Sequence, residues 1–211
     1  MVRLAQDAQA IGAAAGLLAP VSYTPLTDDE VFEHFATVAG ESRLPLCIYD
    51  NPGTTHFRFT PSLVARLSRV PGVIAIKSPA PEPDAVAAHL AELREVVPKG
   101  FSLGYSGDWN STEALLVGGD AWYSVLAGLF PQTCLSIVRA AQNGEVEKAR
   151  RLNAELQPVW DLFKEFSSLR VVYAIANIRG LCRGEPPRPI LPLSGTAQQK
   201  VTEKMMGIDL H

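Results

Sequence analysis

The sequence predicts an α/β fold of consecutive parallel β/α units, followed by a stretch that is helical alone. Five short apolar runs alternate with amphipathic segments over the first 130 residues, and each run leads into a helix or a loop. The runs are apolar throughout, as expected of parallel strands that are covered on both faces. From residue 131 onward the periodicity is only helical. We therefore expect residues 1–130 to form a partial β/α barrel, and residues 131–211 to supply the remaining barrel helix and a C-terminal helical extension.

The elements of residues 1–130 have recognisable boundaries. Thr27 and Glu30 form a capping box, and Thr60 followed by Pro61 is an N-cap with proline at the first helical position. Asp108 is expected to cap the helix that follows it. The predicted strands are Gly16–Val21, Leu44–Tyr49, Val73–Ile76, Phe101–Tyr105 and Ala121–Leu126. The predicted helices are Met1–Ala15, Thr27–Ala39, Thr60–Ser68, Asp84–Val96 and Ser111–Leu116.

Residues 131–211 carry amphipathic patterns without a further strand signal. The predicted helices are Pro131–Gln142, Gly144–Ser167 with an interruption at Pro158, Leu169–Leu181 and Ala197–Met206. A proline-rich connector, Gly184–Pro189, separates the last two of them. We assign these helices to packing or to an oligomer surface, and not to catalysis.

Composition and charge argue against two classes of partner. The chain of 211 residues is 47% hydrophobic and 19% charged, with a formal net charge of −3 and no block of like charge. Such a chain is not predicted to bind nucleic acid or an anionic membrane surface. Its longest apolar stretch, Ala10–Val21, is too short to span a bilayer, so we expect no membrane partner.

The cysteines and histidines lack the spacing of a disulfide framework or a metal site. Cys47, Cys134 and Cys182 are odd in number and far apart, which favours a reducing, cytoplasmic location. The histidines at positions 34, 56, 89 and 211 are also widely separated, so we predict no metal.

The C-terminal ends of the strands are the first places to look for chemistry, because parallel β/α barrels build their active sites there. Lys77 directly follows the run Val73–Ile76, and Tyr49 ends the preceding strand. A lysine at an apolar barrel mouth is desolvated, which disfavours its ammonium form and makes the amine a nucleophile for a carbonyl carbon. A nearby phenol can relay protons while the resulting Schiff base forms and collapses.

Position alone leaves a structural alternative for both residues. Lys77 could extend past the rim and keep its charge in water, and Tyr49 could serve only for packing and one hydrogen bond. Their occurrence on adjacent strand ends points to catalysis more strongly than either residue does by itself.

Two segments resemble the dihydrodipicolinate synthase / N-acetylneuraminate lyase family. Leu46–Lys77, LCIYDNPGTTHFRFTPSLVARLSRVPGVIAIK, is similar to the family's strand ending in YN-x-P, its following helix, and its strand ending in the Schiff-base lysine. Ser106–Val125, SGDWNSTEALLVGGDAWYSV, resembles the family's SGDD…GG…GxISV stretch. The C-terminal helices and Arg188–Leu193 fit as well, so the resemblance covers nearly the whole chain.

The resemblance implies a parallel (β/α)8 TIM-barrel type fold and a Schiff-base-forming lyase, either an aldolase or a dehydratase. The substrate would be a 2-oxo acid such as pyruvate or a sugar-acid derivative, bound as an imine to Lys77, with Tyr49 as the catalytic tyrosine. Gly107 and the backbone of Tyr123 would lie against the oxo acid. No metal or organic cofactor is implied, because the protonated imine is itself the electron sink. We also expect a homo-oligomer, either a dimer or a tetramer.

Three features depart from the family pattern. With five predicted strands, the barrel is expected to lack its first three strands and the family's glycine-rich threonine pair, which acts on the substrate carboxylate and the tyrosine. Thr54 stands where dihydrodipicolinate synthases have an arginine that holds a substrate carboxylate, a bidentate contact that threonine cannot make. Val21–Ser22 occupy the place of a family tyrosine pair, with Tyr23 one position later. These departures argue against synthase activity and favour an aldolase or dehydratase for another oxo acid.

The loop after the second strand is the candidate for substrate discrimination. Thr54, Thr55 and His56 are polar and follow directly on Pro52 and Gly53. The alternative is a polar turn whose backbone the proline and glycine shape.

Two other functions stay open. The chain could be a non-catalytic or decayed homologue that binds an oxo acid or serves in an assembly. It could also be a barrel enzyme that takes a phosphate-bearing substrate without an imine. No glycine-rich phosphate loop precedes a helix in the final strands, which argues against the second of these.

Overall fold

A computed structural model describes residues 1–208 and 210–211 of the chain. Five parallel strands form one sheet in the order in which they follow along the chain. They are β1 (Gly16–Leu18), β2 (Leu46–Tyr49), β3 (Val73–Pro79), β4 (Ser102–Ser106) and β5 (Ala121–Trp122). The predicted α/β fold of consecutive parallel units is confirmed.

Helices alternate with the strands and then continue alone. The first six are α1 (Val2–Ala10), α2 (Asp28–Ser42), α3 (Pro52–Thr55), α4 (Pro61–Leu67), α5 (Val86–Val96) and α6 (Asp108–Leu116). After a 3-10 turn at Leu126–Gly128 come α7 (Pro131–Gln142), α8 (Val146–Glu155), α9 (Gln157–Phe166), α10 (Ser168–Ile178) and α11 (Gly195–Met205). Within residues 1–208 and 210–211, no helix combines the length and the apolar character that a membrane crossing requires.

The predicted N-terminal caps of the helices form as expected. The Thr27 side chain accepts a hydrogen bond from the Glu30 N–H at 3.3 Å, and the Glu30 carboxylate accepts one from the Thr27 N–H at 2.8 Å. Thr60 accepts from the Leu63 N–H at 3.2 Å at the start of α4. Pro158 lies in the first turn of α9, so the interruption expected there separates α8 from α9.

The first and last strands are shorter than their apolar runs. The run that contains β1 reaches Val21, but Pro20 has no N–H to donate to a ladder and pairing ends at Leu18. The run that contains β5 reaches Leu126, but the chain turns after Trp122, and the N–H groups of Val125 and Leu126 bind the Asp108 carboxylate instead of a strand.

The chain folds into two compact units. One comprises residues 1–106 and 117–122 and contains the whole sheet with α1 to α5; its buried residues include Phe35, Ile48 and Leu63. The other comprises residues 107–116 and 123–211 and contains α6 and the later helices, packed around Trp160 and Ile175. The expected division at residue 130 stays a prediction.

The register of the sheet sets the direction of each side chain. Ile48, Ile76 and Leu103 are in register on β2, β3 and β4 and are at most 1% exposed. Ile76 shares a cavity lining with residues of α4 and α5, so this row faces those helices. Because side chains alternate along a strand, the next row, which begins with Tyr49 and Lys77, faces the opposite side.

Candidate active site

Lys77 and Tyr49 lie side by side on neighbouring strands, Tyr49 at the end of β2 and Lys77 two residues before the end of β3. Tyr49 is the register partner of Lys77, and the Asp50 N–H donates to the Lys77 carbonyl at 3.0 Å, which extends the pairing one residue beyond β2. The Lys77 Nζ lies 4.9 Å from the centre of the Tyr49 ring, and both side chains are half-buried. The next strand contributes Gly104 in the same register, so no side chain of β4 occupies the position beside Lys77.

The loop after β2 is held by a single carbonyl group. The backbone N–H groups of Thr54 and Thr55 donate to the Asn51 carbonyl at 3.0 and 2.9 Å. Their hydroxyls donate to the same carbonyl at 3.2 and 3.0 Å. The Asn51 side chain points back to the strand, where its Nδ2 donates to the Tyr49 hydroxyl at 3.1 Å. The short helix α3 thus positions one amide group against the phenol.

The predicted discrimination residues occupy different environments within this loop. Thr54 is exposed and Thr55 is buried, and His56 ends α3 in the left-handed conformation with φ 55°. Thr55 and His56 line a cavity of about 190 Å³ together with Ser22 and Tyr23 from the segment after β1. The hydrogen bonds of both threonine hydroxyls favour the polar-turn alternative for Thr54 and Thr55. A role of these three residues in substrate choice stays a prediction.

A second polar pair lies on the opposite face of the same strand ends. Asp50 and Ser78 directly follow Tyr49 and Lys77, so alternation turns them toward the helices. They line a cavity of about 430 Å³ whose other polar residues are Arg58, Thr60, His89 and Glu92. Neither residue was predicted as a site residue, although strand alternation indicates that the Asp50 carboxylate enters a helix layer, which is unusual.

The Asp50 carboxyl is strongly perturbed by its surroundings. Burial raises the pKa of Asp50 to about 6, and the Ser78 hydroxyl, the Arg58 charge and the Phe59 N–H oppose the rise only in part. Asp50 Oδ1 and Ser78 Oγ are both buried and have no hydrogen-bond partner of good geometry among the described residues, so the Ser78 hydroxyl offsets little of the effect of burial. The carboxyl is poised to take up a proton in mildly acidic solution.

Gly107 and Tyr123, the remaining predicted substrate contacts, belong to the second compact unit. Gly107 has φ 84°, a conformation that favours glycine, and it directly precedes α6. Its carbonyl accepts from the Asn110 N–H and from the Ser111 hydroxyl, each at 3.0 Å. Tyr123 is half-buried and follows β5. Contact of either residue with a substrate stays a prediction.

Asp108 departs from the predicted role as an N-cap. Helix α6 begins at Asp108 itself, and the side chain is 2% exposed. Its carboxylate accepts from the Ser124 hydroxyl at 3.2 Å and from the N–H groups of Val125 and Leu126 at 3.1 and 2.9 Å. Asp108 therefore holds the turn after Tyr123 in place, because three donors of that turn converge on one carboxylate.

No group of three or more histidine, cysteine or acidic residues suited to a metal ion occurs in the part of the chain that the structure describes.

Comparison with known proteins places the chain among relatives of one kind. The family model of the Dihydrodipicolinate synthetase family matches residues 1–207. The chain is 34% identical over 206 residues to 4-hydroxy-tetrahydrodipicolinate synthase from Alcanivorax borkumensis, a match that covers 97% of this chain and 68% of that protein. It is 29% identical over 208 residues to the protein of the same name from Archaeoglobus fulgidus, with 98% and 70% covered.

Solved structures agree with this match. The crystal structure of dihydrodipicolinate synthase from Agrobacterium tumefaciens superposes with a TM-score of 0.94 at 55% identity, and covers 99% of this chain and 70% of that one. The 4-hydroxy-tetrahydrodipicolinate synthase of Methylacidiphilum fumariolicum superposes with a TM-score of 0.86 at 26% identity, with 96% and 67% covered. The fold is thus of the TIM-barrel type, represented by five parallel strands and the C-terminal helices. Because the family model spans nearly every residue from α1 to α11, the chain belongs to the Dihydrodipicolinate synthetase family.

Proposed function

We propose that this protein is a Schiff-base-forming lyase that acts on a 2-oxo acid, such as pyruvate, through an imine with Lys77. The observation that carries the proposal is the position of the Lys77 Nζ, 4.9 Å from the centre of the Tyr49 ring, on two paired strands in which the two residues are register partners. Membership of a family of Schiff-base lyases supports the same chemistry. No metal or organic cofactor is part of the proposal.

The proposed reaction uses the two side chains in turn. The neutral Lys77 amine attacks the carbonyl carbon of the oxo acid, and the carbonyl oxygen takes up a proton to give a carbinolamine. Tyr49 donates a proton to that hydroxyl, which leaves as water while the nitrogen lone pair forms the C=N bond. In cleavage, the protonated imine accepts the electron pair of a C–C bond at its α-carbon, the other fragment leaves as an aldehyde after its hydroxyl loses a proton, and a proton then adds to the enamine carbon. In dehydration, it accepts the electron pair of an α C–H bond whose proton passes to a base, and the enamine expels the neighbouring hydroxyl as water. Water returns at the end to release the product and restore the amine.

Several residues are proposed to hold the substrate. The family resemblance supports a contact of Gly107 and of the Tyr123 backbone with the oxo acid. Thr54, Thr55 and His56 are the proposed discrimination residues.

We propose aldol cleavage or dehydration in preference to synthase chemistry. Thr54 carries no charge, and its hydroxyl donates to the Asn51 carbonyl at 3.2 Å, so it is poorly suited to hold a second carboxylate. The relatives are named synthases, which makes condensation with an aldehyde the competing candidate. Assays with an aldehyde acceptor and with sugar-acid substrates separate the two activities.

Reductive trapping tests the proposal. The chain is incubated with pyruvate and borohydride, and the intact protein is then weighed by mass spectrometry. We expect one covalent adduct, lost in Lys77→Ala and kept in the control Lys99→Ala, since Lys99 is an exposed lysine. Tyr49→Phe should slow turnover by about two to four orders of magnitude and leave some imine formation. A folded protein that forms no adduct would favour a non-catalytic homologue.

A further inference from the structure

We infer that Asn51 is a positioning residue that acts on the reaction through the Tyr49 hydroxyl. The inference rests on the proposed function, since it requires Tyr49 to handle protons for the imine at Lys77. Its basis is the 3.1 Å hydrogen bond from the Asn51 Nδ2 to the phenol oxygen, which lies on the same side of the sheet as the Lys77 amine.

The backbone of Asn51 is fixed independently of its side chain. Four donors converge on the Asn51 carbonyl, namely the N–H group and the hydroxyl of Thr54 and of Thr55. Thr55 is also 7% exposed, and its hydroxyl lies 3.3 Å from the Phe57 carbonyl. A loop tied in this way holds the Asn51 side chain at the phenol without help from a substrate.

The chemistry of the amide determines what this contact does. The Asn51 NH₂ group can only donate, so it occupies a lone pair of the Tyr49 oxygen and leaves the phenol proton for another acceptor. The acceptor that the proposed reaction supplies is the carbinolamine hydroxyl. When Tyr49 releases that proton, the same N–H faces an anionic oxygen, and such charge-assisted hydrogen bonds are stronger. Asn51 therefore both directs the proton and stabilises the state that follows its transfer.

A double-mutant cycle separates this role from a merely structural one. The rate of imine formation with pyruvate is measured by timed borohydride trapping in the parent, Asn51→Ala, Tyr49→Phe and the double variant. Loss of one hydrogen bond in the transition state should slow Asn51→Ala by roughly 5- to 30-fold. In the Tyr49→Phe background, Asn51→Ala should slow imine formation by less than about twofold, since no hydroxyl remains to be positioned. Equilibrium affinity for pyruvate should change little.

Two further variants sharpen the cycle. Asn51→Asp keeps the shape but accepts the phenol proton instead of donating, so it should be slower than Asn51→Ala. Asn143→Ala is the matched control, because the exposed Asn143 also donates to a side chain two residues away, that of Glu145 at 3.3 Å. It should retain the parent rate.

A spectroscopic readout tests the contact without activity. The Asn51 side-chain amide resonances are identified by their loss in Asn51→Ala, and they should shift in Tyr49→Phe while those of Asn143 do not. An unchanged Asn51 amide in Tyr49→Phe overturns the contact. If Asn51→Ala slows imine formation equally in the parent and in Tyr49→Phe, the positioning role is overturned while the proposed function stands. A folded parent that forms no imine overturns the proposed function, and with it the positioning role of Asn51.

Discussion

Side chains alternate at the ends of β2 and β3, and this places two polar pairs on opposite faces of the sheet. Tyr49 and Lys77 face the side away from α4 and α5, whereas Asp50 and Ser78 line the cavity of about 430 Å³ on the helix side. A one-residue slip in register would exchange the two pairs, so the identity of the reactive lysine depends on the strand register.

Asp50 gives a testable consequence of this alternation. Because burial raises the pKa of its carboxyl from 3.8 to about 6, the folded chain binds a proton that the unfolded chain has released between those values. The bound proton contributes to the free energy of unfolding below about pH 4. This contribution falls as the pH rises and is lost above about pH 6. We expect Asp50→Asn to stabilise the chain by about 1–3 kcal/mol at pH 7.5 and little at pH 3.5. Urea unfolding across this range is the measurement.

The exposed Asp84 supplies the control for this comparison. The free energy of unfolding of Asp84→Asn should match that of the parent at every pH. An Asp50→Asn variant whose unfolding free energy runs parallel to that of the parent from pH 3.5 to 7.5 would contradict the effect of burial.

Single residues were predictable where a strand end dictates their position. Lys77 and Tyr49 follow from two apolar runs that each stop at a reactive side chain. The contact of Asn51 with Tyr49 was not predictable, because it depends on the turn that Thr54 and Thr55 form around one carbonyl. The function of Asp108 was missed for a similar reason, since its partners lie more than a dozen residues further along the chain.

Local signals also determine where the elements begin and end. The capping box of Thr27 and Glu30 and the N-cap Thr60 form where the sequence predicts them, since these signals act over three residues. Strand ends were predicted less well. Apolar runs continue to Val21 and Leu126, while pairing stops at Leu18 and Trp122 because a ladder also needs a partner strand and free N–H groups.

The start of α2 provides a prediction at this scale. Thr27→Ala removes the acceptor for the Glu30 N–H and should lower the free energy of unfolding by about 1 kcal/mol. Thr24→Ala, a change at an exposed loop threonine just upstream, should have a smaller effect. The free energies of unfolding of both variants are obtained from the midpoints of their urea unfolding curves, with the denaturant dependence unchanged from the parent. Equal midpoints for the two variants would count against the capping box as a stabilising feature.

The order of the strands along the sheet leaves β1 with β2 as its single neighbour among residues 1–208 and 210–211. Leu17 of this strand is 49% exposed, and Val21 and Tyr23 just beyond it are more exposed still. An unpaired strand edge with apolar side chains is a surface for pairing with another chain. The predicted homo-oligomer is consistent with such an edge, but composition could not predict which surface assembles.

We expect the chain to form an assembly that covers the β1 edge, and to be loosely packed as an isolated monomer. Light scattering after size exclusion should give a mass above the 22.8 kDa of one chain. Leu17→Lys, which places a charge on this strand, should weaken the assembly more than the control Val117→Lys, where the apolar side chain is also exposed. A verified monomer with a sharp, cooperative thermal transition would show that the edge does not govern the assembly.

The proposed function depends on an imine between Lys77 and a 2-oxo acid. The most direct measurement is peptide mapping of the folded protein after reaction with pyruvate and borohydride, which locates the modified amine in the sequence. We expect a single reduced adduct on the Lys77 side chain, formed faster in the parent than in Tyr49→Phe. An adduct on another lysine or on the N-terminal amine, with Lys77 unmodified, would contradict this expectation.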